Sequence, residues 1–343
     1  MLMEDKILSL ILNKPMNYWD LLYKTNILVR DFIDALYELK NKGYINYENN
    51  IIYLTKQGRD YIIEKGIKPF ISHKCMHCGG RTINLSTVPR DILERYFKIQ
   101  TNRPQSISAV DQGFVTPEVT LARSFFLQEK RDIEDSSLIF IGDDDLTSIA
   151  IALIGNYKQI TVLDIDKRLI DFINETVREE NLKNFEAYVY NIKDELPDNF
   201  KEKYDIFFTD PLETVPGFTS FVNRGIQSLK GKDCVGYFNL TYLEASLKKW
   251  YLFEKSIIEA GFIITDVLEK FNIYNLPVIE KGKGYKVVDS APFEVSAPDR
   301  LWYNSSLFRI YSVEKPKLID IYYNSLKDEK ELYLDEDGYV VSI

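Results

Sequence analysis

An alternation of short apolar runs with helical patterns begins near residue 136 and constrains the fold more than any other feature of the chain. The apolar runs each end in polar residues, and helical patterns such as KRLIDFINETVREENL separate them. Parallel strands need crossover connections of about a dozen residues, which these helical patterns provide. The sequence therefore predicts an α/β domain with a parallel sheet and a binding site at the carboxyl ends of its strands. The four leading runs are SLIFIGDDD, QITVLDID, FEAYVYNI and YDIFFTDP.

Three later runs complete this Rossmann-like sheet, and the pattern resembles the seven-stranded methyltransferase-like arrangement. They are CVGYFNLT, FIITDVLEKF and LFRIYSV, with a helix expected over residues 243–260. We expect LFRIYSV to form an antiparallel edge pair. The sheet domain is assigned to residues 105–320.

Residues 1–66 show three helical patterns, then YINYENNIIYLT as a hairpin, then a helix capped by Thr55. This order resembles the winged-helix family, and ELKNKGYINYENNIIYLTKQGRDYI carries the resemblance. A DNA reader presents uncompensated cations to phosphates. The third helix, VRDFIDALYELKNK, instead balances its basic residues with three acidic ones. We predict dimerisation or docking on the catalytic domain, with a homodimer as the expected assembly and no nucleic acid.

Composition describes an ordinary globular protein with 45% hydrophobic and 28% charged residues. A length of 343 residues favours two domains, and a net charge of −9 attracts polycations. No apolar stretch reaches the length of a membrane span, and the first residues do not read as a signal peptide, so we expect a cytoplasmic protein. Abundant Lys, Glu, Ile and Tyr hint at a thermophile.

The segment 67–104 is predicted to be a linker that carries one C-x-x-C pair, Cys75 and Cys78, with His73 and His77 beside it. A tetrahedral zinc site usually draws two ligands from each of two segments, and no second pair follows. A knuckle shared across a dimer, a disulfide and the remnant of a zinc ribbon all stay open. We predict no metal site. Cys234 lies in an apolar run and is expected to be a buried thiol.

The first strand runs into Gly142, Asp143, Asp144 and Asp145. A methyltransferase would place here the turn that meets the carboxylate of its cofactor, which needs N–H donors or cations. Two like charges about 4 Å apart repel by about 4 kcal/mol at an effective dielectric near 20, so this turn favours an ammonium group. One aspartate suffices to cap the helix expected from Leu146, which leaves a function for the others.

The next strand ends place further polar residues at the same edge. Asp164, followed by Ile165, is expected to hydrogen-bond ribose hydroxyls, whereas Asp166 is expected to cap the following helix. Asn191 and Ile192 follow the third strand, where an adenine amino group is often met, although a plain loop asparagine explains them equally well.

The string FTDPLET follows the fourth strand and offers Asp210 and Glu213, two carboxylates that can hold an amine and accept its proton. Related methyltransferases that act on planar amide-like nitrogens have a second proline and an aromatic residue here, and an aliphatic polyamine needs neither. Asp111 and Glu244 are further candidates for the substrate site. Each alone is more often a solvated surface residue, and the acidic loops strengthen the functional interpretation of both.

The strings DQGFVTPE, FIGDDDLTS, VLDID, FTDPLETVPGF and RGIQSLKG resemble the branched-chain polyamine synthases, the N(4)-bis(aminopropyl)spermidine synthases of thermophiles. The resemblance implies that decarboxylated S-adenosylmethionine donates aminopropyl groups to the secondary amine of spermidine and that methylthioadenosine is released. It also implies that Asp143, Asp144, Asp145, Asp210 and Glu213 line the active site. We assign proton acceptance to Asp144 or Asp210, and the residues do not decide between them.

Two other functions remain as alternatives at this point. One is an S-adenosylmethionine-dependent N-methyltransferase acting on nucleic acid or protein, and the other is a DNA-binding regulator that senses polyamine. The acidic C-terminal tail, residues 321–343, is either a solvated end or a lid that folds over a polycation.

Overall fold

The computed structural model describes residues 3–70, 83–106, 113–276, 285–320 and 330–340. The C-x-x-C pair with its two histidines and the candidate Asp111 lie outside the described residues.

The N-terminal part has the predicted order of helices and hairpin. The hairpin turns at Asn49 and Asn50, whose positive φ values of 50° and 64° suit a tight two-residue loop. Thr55 caps the following helix as predicted, because its side chain accepts a hydrogen bond from the Gly58 N–H at 3.0 Å. The elements are α1 Met3–Ile11, β1 Met16–Asn17, α2 Tyr18–Thr25, α3 Val29–Asn41, β2 Ile45–Glu48, β3 Ile51–Leu54 and α4 Lys56–Lys65.

The rest of the described chain is built on one mixed sheet. Its strands are β4 Phe114–Val115, β5 Ser137–Ile141, β6 Gln159–Asp164, β7 Phe185–Val189, β8 Ile206–Thr209, β9 Val235–Leu240, β10 Phe262–Asn275 and β11 Asn304–Ser312. The helices are α5 Arg90–Gln100, α6 Pro117–Glu129, α7 Thr147–Ile154, α8 Lys167–Glu179, α9 Val215–Ser228, α10 Leu247–Glu259, α11 Lys286–Asp289 and α12 Lys330–Tyr333.

The strand order is β4-β10-β11-β9-β8-β5-β6-β7. The neighbours from β9 to β7 are parallel, whereas β11 runs antiparallel to both β9 and β10. The expected antiparallel pair is therefore present, with the short β4 added outside it. Since β5 stands where the chain turns from one half of the sheet to the other, its carboxyl end lies at the switch point where ligands bind in such sheets.

Helices cover both faces of the sheet because successive residues of each strand point to opposite sides. Along β5, Leu138 and Phe140 pack in a core with α5 to α8, whereas Ile139 and Ile141 pack in a second core with α9 and α10. Cys234 lies in the second core and is 3% exposed, as predicted for a buried thiol.

The segment 67–104, which the sequence predicts to be a linker, includes a helix that packs on the sheet. It contains α5, whose apolar face at Ile92, Tyr96 and Ile99 packs into the first core of the sheet. The spacing of these residues is helical. Their burial stabilises the sheet, so this part of the segment is more than a connection between two units.

A third core joins the N-terminal helices to one edge of the sheet. Leu36 of α3 belongs to the same buried cluster as Leu243, Val287, Trp302 and Val340. The N-terminal unit is thus packed onto the chain near the carboxyl ends of β9 and β10. No helix in the described ranges is long and apolar enough to cross a membrane.

Candidate active site

A cavity opens at the carboxyl ends of the parallel strands, where the sequence predicts the site. Three of its lining side chains are carboxylates, and no lysine or arginine is among the described lining residues. The lining consists of Ile141, Gly142, Asp144, Leu163, Asp164, Ile165, Tyr190, Ile192, Asp210, Leu212, Phe221 and Tyr333. The cavity therefore favours a ligand that is apolar along part of its length and cationic at another.

The turn after β5 starts at Gly142, whose φ of 76° lies in the left-handed region that favours glycine. The Gly142 N–H donates to the Leu163 carbonyl at 2.8 Å, which holds the turn against β6. Asp143 then points inward and is 3% exposed. Its carboxylate accepts hydrogen bonds from the backbone N–H and the hydroxyl of Ser148, so it caps α7. The capping role expected of one aspartate thus belongs to Asp143.

Asp145 also points away from the cavity and is 2% exposed. It accepts a hydrogen bond from the Val115 N–H at 2.7 Å and forms an ion pair with Arg123 of α6. The same guanidinium pairs with Asp210 at 2.9 Å. Tyr274 of β10 donates to Asp210 at 2.9 Å from the other side. Asp210 is therefore held by a cation and a hydroxyl while one edge of it faces the cavity.

Asp144 is the one aspartate of the turn that lines the cavity. No hydrogen bond to its carboxylate occurs within the described part of the chain, although Arg103 donates to its backbone carbonyl at 3.3 Å. Burial raises the pKa of the Asp144 carboxyl well above its usual range, and the charges of Asp145, Asp164 and Asp210 raise it further. Burial also raises the pKa of Asp210, but Arg123 opposes that rise. The two candidate proton acceptors thus have different surroundings.

The candidate nucleoside-binding residues divide into two groups. Asp164, Ile165 and Ile192 line the cavity, whereas Asn191 is not among its described lining residues. Asp164 accepts hydrogen bonds from the N–H groups of Asp143 at 3.1 Å and Asp166 at 2.8 Å, so it also ties two turns together. Asp166 caps α8 through the Arg168 N–H at 2.9 Å, as predicted.

Glu213 and Glu244 lie at a smaller cavity beside the first, and Tyr333 lines both. Glu244 is 8% exposed, and its carboxylate is already engaged. It accepts hydrogen bonds from the Tyr303 hydroxyl at 2.8 Å and from the Val340 N–H at 2.8 Å. Glu244 therefore fixes the C-terminal segment next to the cavity.

Residues 330–340, called the C-terminal strap below, pack over this edge of the sheet. Thr214 donates to the Leu332 carbonyl at 2.6 Å, and Lys249 pairs with Asp335 at 2.7 Å. Asp337 is 2% exposed and accepts a hydrogen bond from the Ser246 N–H at 2.9 Å. These contacts show that the strap is not a solvated end, because Asp335 and Asp337 are paired with Lys249 and the side chains of Leu332 and Val340 are buried.

Several site residues were not identified from the sequence. Arg123, Tyr274 and Tyr333 reach the site from elements far apart in the chain, and Tyr190 and Phe221 line the cavity as apolar surfaces. The run VTLARSFF contains a signal for the first of them, since a lone arginine within an apolar helix needs a buried partner. In the described ranges, no group of three or more metal-ligating side chains is present.

Two comparisons by sequence point in the same direction. The family described as "Branched-chain polyamine synthase A C-terminal domain" matches residues 91–340. The N(4)-bis(aminopropyl)spermidine synthase of Thermococcus kodakarensis is 38% identical over 91% of this chain and 86% of its own length. The enzyme of the same name from Methanocaldococcus jannaschii is 37% identical over 90% of this chain and 87% of its own.

A solved structure extends the similarity to the whole fold. The branched-chain polyamine synthase C9 mutein of Thermus thermophilus was solved with N4-aminopropylspermidine and 5'-methylthioadenosine. It superposes with a TM-score of 0.86 at 29% identity, over 99% of this chain and 93% of that one.

The opposite orientations of Asp143 and Asp144 lead to a stability prediction. We expect Asp143→Ala to lower the free energy of unfolding by about 1 kcal/mol because it removes the cap of α7. Asp144→Asn is the matched control and should not lower it at pH 7, since ionised Asp144 is disfavoured by its neighbours. Denaturant titration measures both, and equal losses in the two variants would contradict this division.

Proposed function

The chain belongs to the branched-chain polyamine synthase family, and we propose that it transfers aminopropyl groups from decarboxylated S-adenosylmethionine to the secondary amine of spermidine. A first transfer gives a tertiary amine and a second gives the quaternary N(4)-bis(aminopropyl)spermidine. The observation that carries this proposal is the cavity with three carboxylates and no cation among its described lining residues. Both substrates carry ammonium groups that such a cavity attracts.

We place the nucleoside of the donor against Asp164, Ile165 and Ile192, where an apolar surface for the base lies beside a carboxylate for the ribose. The aminopropyl ammonium then lies toward Asp144 and Asp210. S-adenosylmethionine has a carboxylate in the region of this ammonium, and the cavity lining offers no cation to balance it. The alternative of an N-methyltransferase is therefore not favoured.

We assign proton acceptance to Asp144 and the holding of an ammonium group to Asp210. Asp210 is tied to Arg123 and Tyr274, which keeps its carboxylate in one place. Asp144 faces the cavity, and its raised pKa brings it nearer to the range in which a general base works best. Arg103 holds the backbone of the turn and leaves the Asp144 carboxylate turned to the substrate.

The reaction is an in-line displacement. The lone pair of the secondary amine forms a bond to the aminopropyl carbon next to the sulfonium, and the carbon–sulfur bond breaks. Its electron pair stays on sulfur, so methylthioadenosine leaves as a neutral product. The amine proton passes to Asp144. The protein has no covalent step to perform, and its contribution is to position two cations and accept one proton.

We retain the prediction that the N-terminal unit is a winged helix that docks on the catalytic domain and does not bind DNA. In support, the N–H of Val29 at the start of α3 donates to the Leu243 carbonyl at 3.0 Å. Arg30 pairs with Asp337 of the strap at 3.5 Å. The helix that would enter a DNA groove is thus engaged with its own chain. The homodimer and the cytoplasmic location stay predictions.

Mass spectrometry of the products from spermidine and decarboxylated S-adenosylmethionine tests the proposal. We expect masses for one and two added aminopropyl groups together with methylthioadenosine. Asp144→Asn and Asp210→Asn should each lower turnover by about 100-fold or more while folding is retained. Asp171→Asn is the control, because Asp171 is an exposed partner of Lys167 on α8. Unchanged turnover in both site variants would contradict the acidic-site account.

The strap leads to a further prediction. Deleting residues 329–343 should raise the KM for spermidine and leave the affinity for methylthioadenosine nearly unchanged, because the strap adds acidic groups and shields the polyamine side of the site. The effect should weaken as salt increases, since charges are screened over about 8 Å at physiological ionic strength. Deletion of 341–343 alone serves as the control. A full deletion that alters neither spermidine kinetics nor their salt dependence would show that the strap has no such role.

A further inference from the structure

Arg123 is a buried cation that belongs to the site without touching the cavity. Its side chain is fully buried, and its contacts use three separate nitrogens. Nη1 pairs with Asp145, Nη2 pairs with Asp210 at 2.9 Å, and Nε donates to Asn272 at 2.7 Å. The three donor nitrogens belong to one planar guanidinium group, so the contacts fix its orientation as well as its position.

Arg123 and its three partners come from four parts of the fold. Asp145 follows β5, Asp210 follows β8, Asn272 belongs to β10, and Arg123 itself lies in the middle of α6. The two carboxylates are separated from it by 22 and 87 residues of sequence. A single rigid side chain thus sets the distance between the acidic turn and the carboxylate after β8.

The network continues beneath the cavity. Tyr274 donates to Asp210 and is in hydrogen-bond contact with Ser305 at 2.9 Å. Asn272 donates to Ser305 at 2.8 Å and to Asn239 at 2.7 Å. Since Tyr274, Ser305 and Asn272 are buried and hydrogen-bonded to one another, they hold Asp210 in one position.

We propose that Arg123 is a positioning residue for aminopropyl transfer: it holds Asp210 ionised and in register with Asp144, so that one carboxylate binds an ammonium group while the other accepts the proton. The inference rests on the proposed function. It predicts that a lysine cannot replace Arg123, because one ammonium group cannot make three coplanar contacts.

The groups that face Asp210 determine how activity depends on pH. They are Arg123 from α6, Tyr274 from β10, and Asp144 and Asp145 from the turn after β5. Among these, only Arg123 is cationic. Its loss raises the pKa of Asp210, so the ionised form is lost at a higher pH as the solution is acidified. The acidic limb of the kcat/KM profile for spermidine must then move to higher pH.

The test compares Arg123→Lys and Arg123→Met with the wild-type chain. We expect kcat/KM for spermidine to fall by about 10-fold or more in both variants, and the acidic limb to move upward by about 1–3 pH units in Arg123→Met, which removes the charge. The affinity for methylthioadenosine, measured by calorimetry, should change little because Arg123 does not line the cavity. Tyr274→Phe removes the other donor to Asp210 without removing a charge, and it should shift the limb less.

Arg309→Met is the matched control. Arg309 is a half-buried arginine, paired with Asp132 at 2.8 Å beside Tyr237, and none of these three residues is among the described residues that line the cavity. The Arg309→Met variant should be less stable than the wild-type chain, but the acidic limb of its kcat/KM profile should not shift. The inference would be overturned if kcat/KM were unchanged in Arg123→Lys, or if the acidic limb of Arg123→Met coincided with those of Arg309→Met and wild type. If Arg123→Met does not fold, the kinetics of Arg123→Lys and Tyr274→Phe test the inference. Absence of product from the wild type would instead refute the proposed function.

Discussion

The ion pairs of Arg123 with Asp145 and Asp210 are the interaction on which the acidic edge of this sheet depends. Four aspartates, Asp143, Asp144, Asp145 and Asp210, meet where β5 and β8 end, and their mutual repulsion opposes folding. The fold reduces that repulsion by burying one cation between two of them and by using a third as a helix cap. What remains exposed to the cavity is a smaller negative charge in a fixed arrangement.

In this arrangement, two of three consecutive aspartates stabilise the fold and the third faces the cavity. Asp143 stabilises α7, Asp145 anchors α6 and β4, and Asp144 between them faces the cavity. Because Asp144 has no ion pair to a described neighbour, its burial and the nearby charges raise its pKa. A substrate that brings its own cations relieves this unfavourable charge, so binding energy is available where a polyamine lies. The same feature disfavours ligands that carry a carboxylate.

The sheet, the polar residues at its strand ends and the family could be predicted from the sequence, because they depend on hydrophobic periodicity and on short local motifs. It predicted that one aspartate of the turn caps a helix, but not that this is Asp143, since side-chain direction in a turn depends on the positive φ of Gly142 and Leu146. It did not predict Arg123, whose partners lie 22 and 87 residues away. Nor did it predict that Glu244 would hold the C-terminal strap, because that contact joins segments 96 residues apart.

We propose that this site selects an ammonium group where a methyltransferase selects a carboxylate. Calorimetric titration of the protein with decarboxylated S-adenosylmethionine and with S-adenosylmethionine, under the same salt and pH, measures that selection. We expect the decarboxylated compound to bind more tightly by about 100-fold or more, since each 1.4 kcal/mol of repulsion is about a tenfold change in affinity. Equal affinities, or tighter binding of the carboxylated compound, would contradict it.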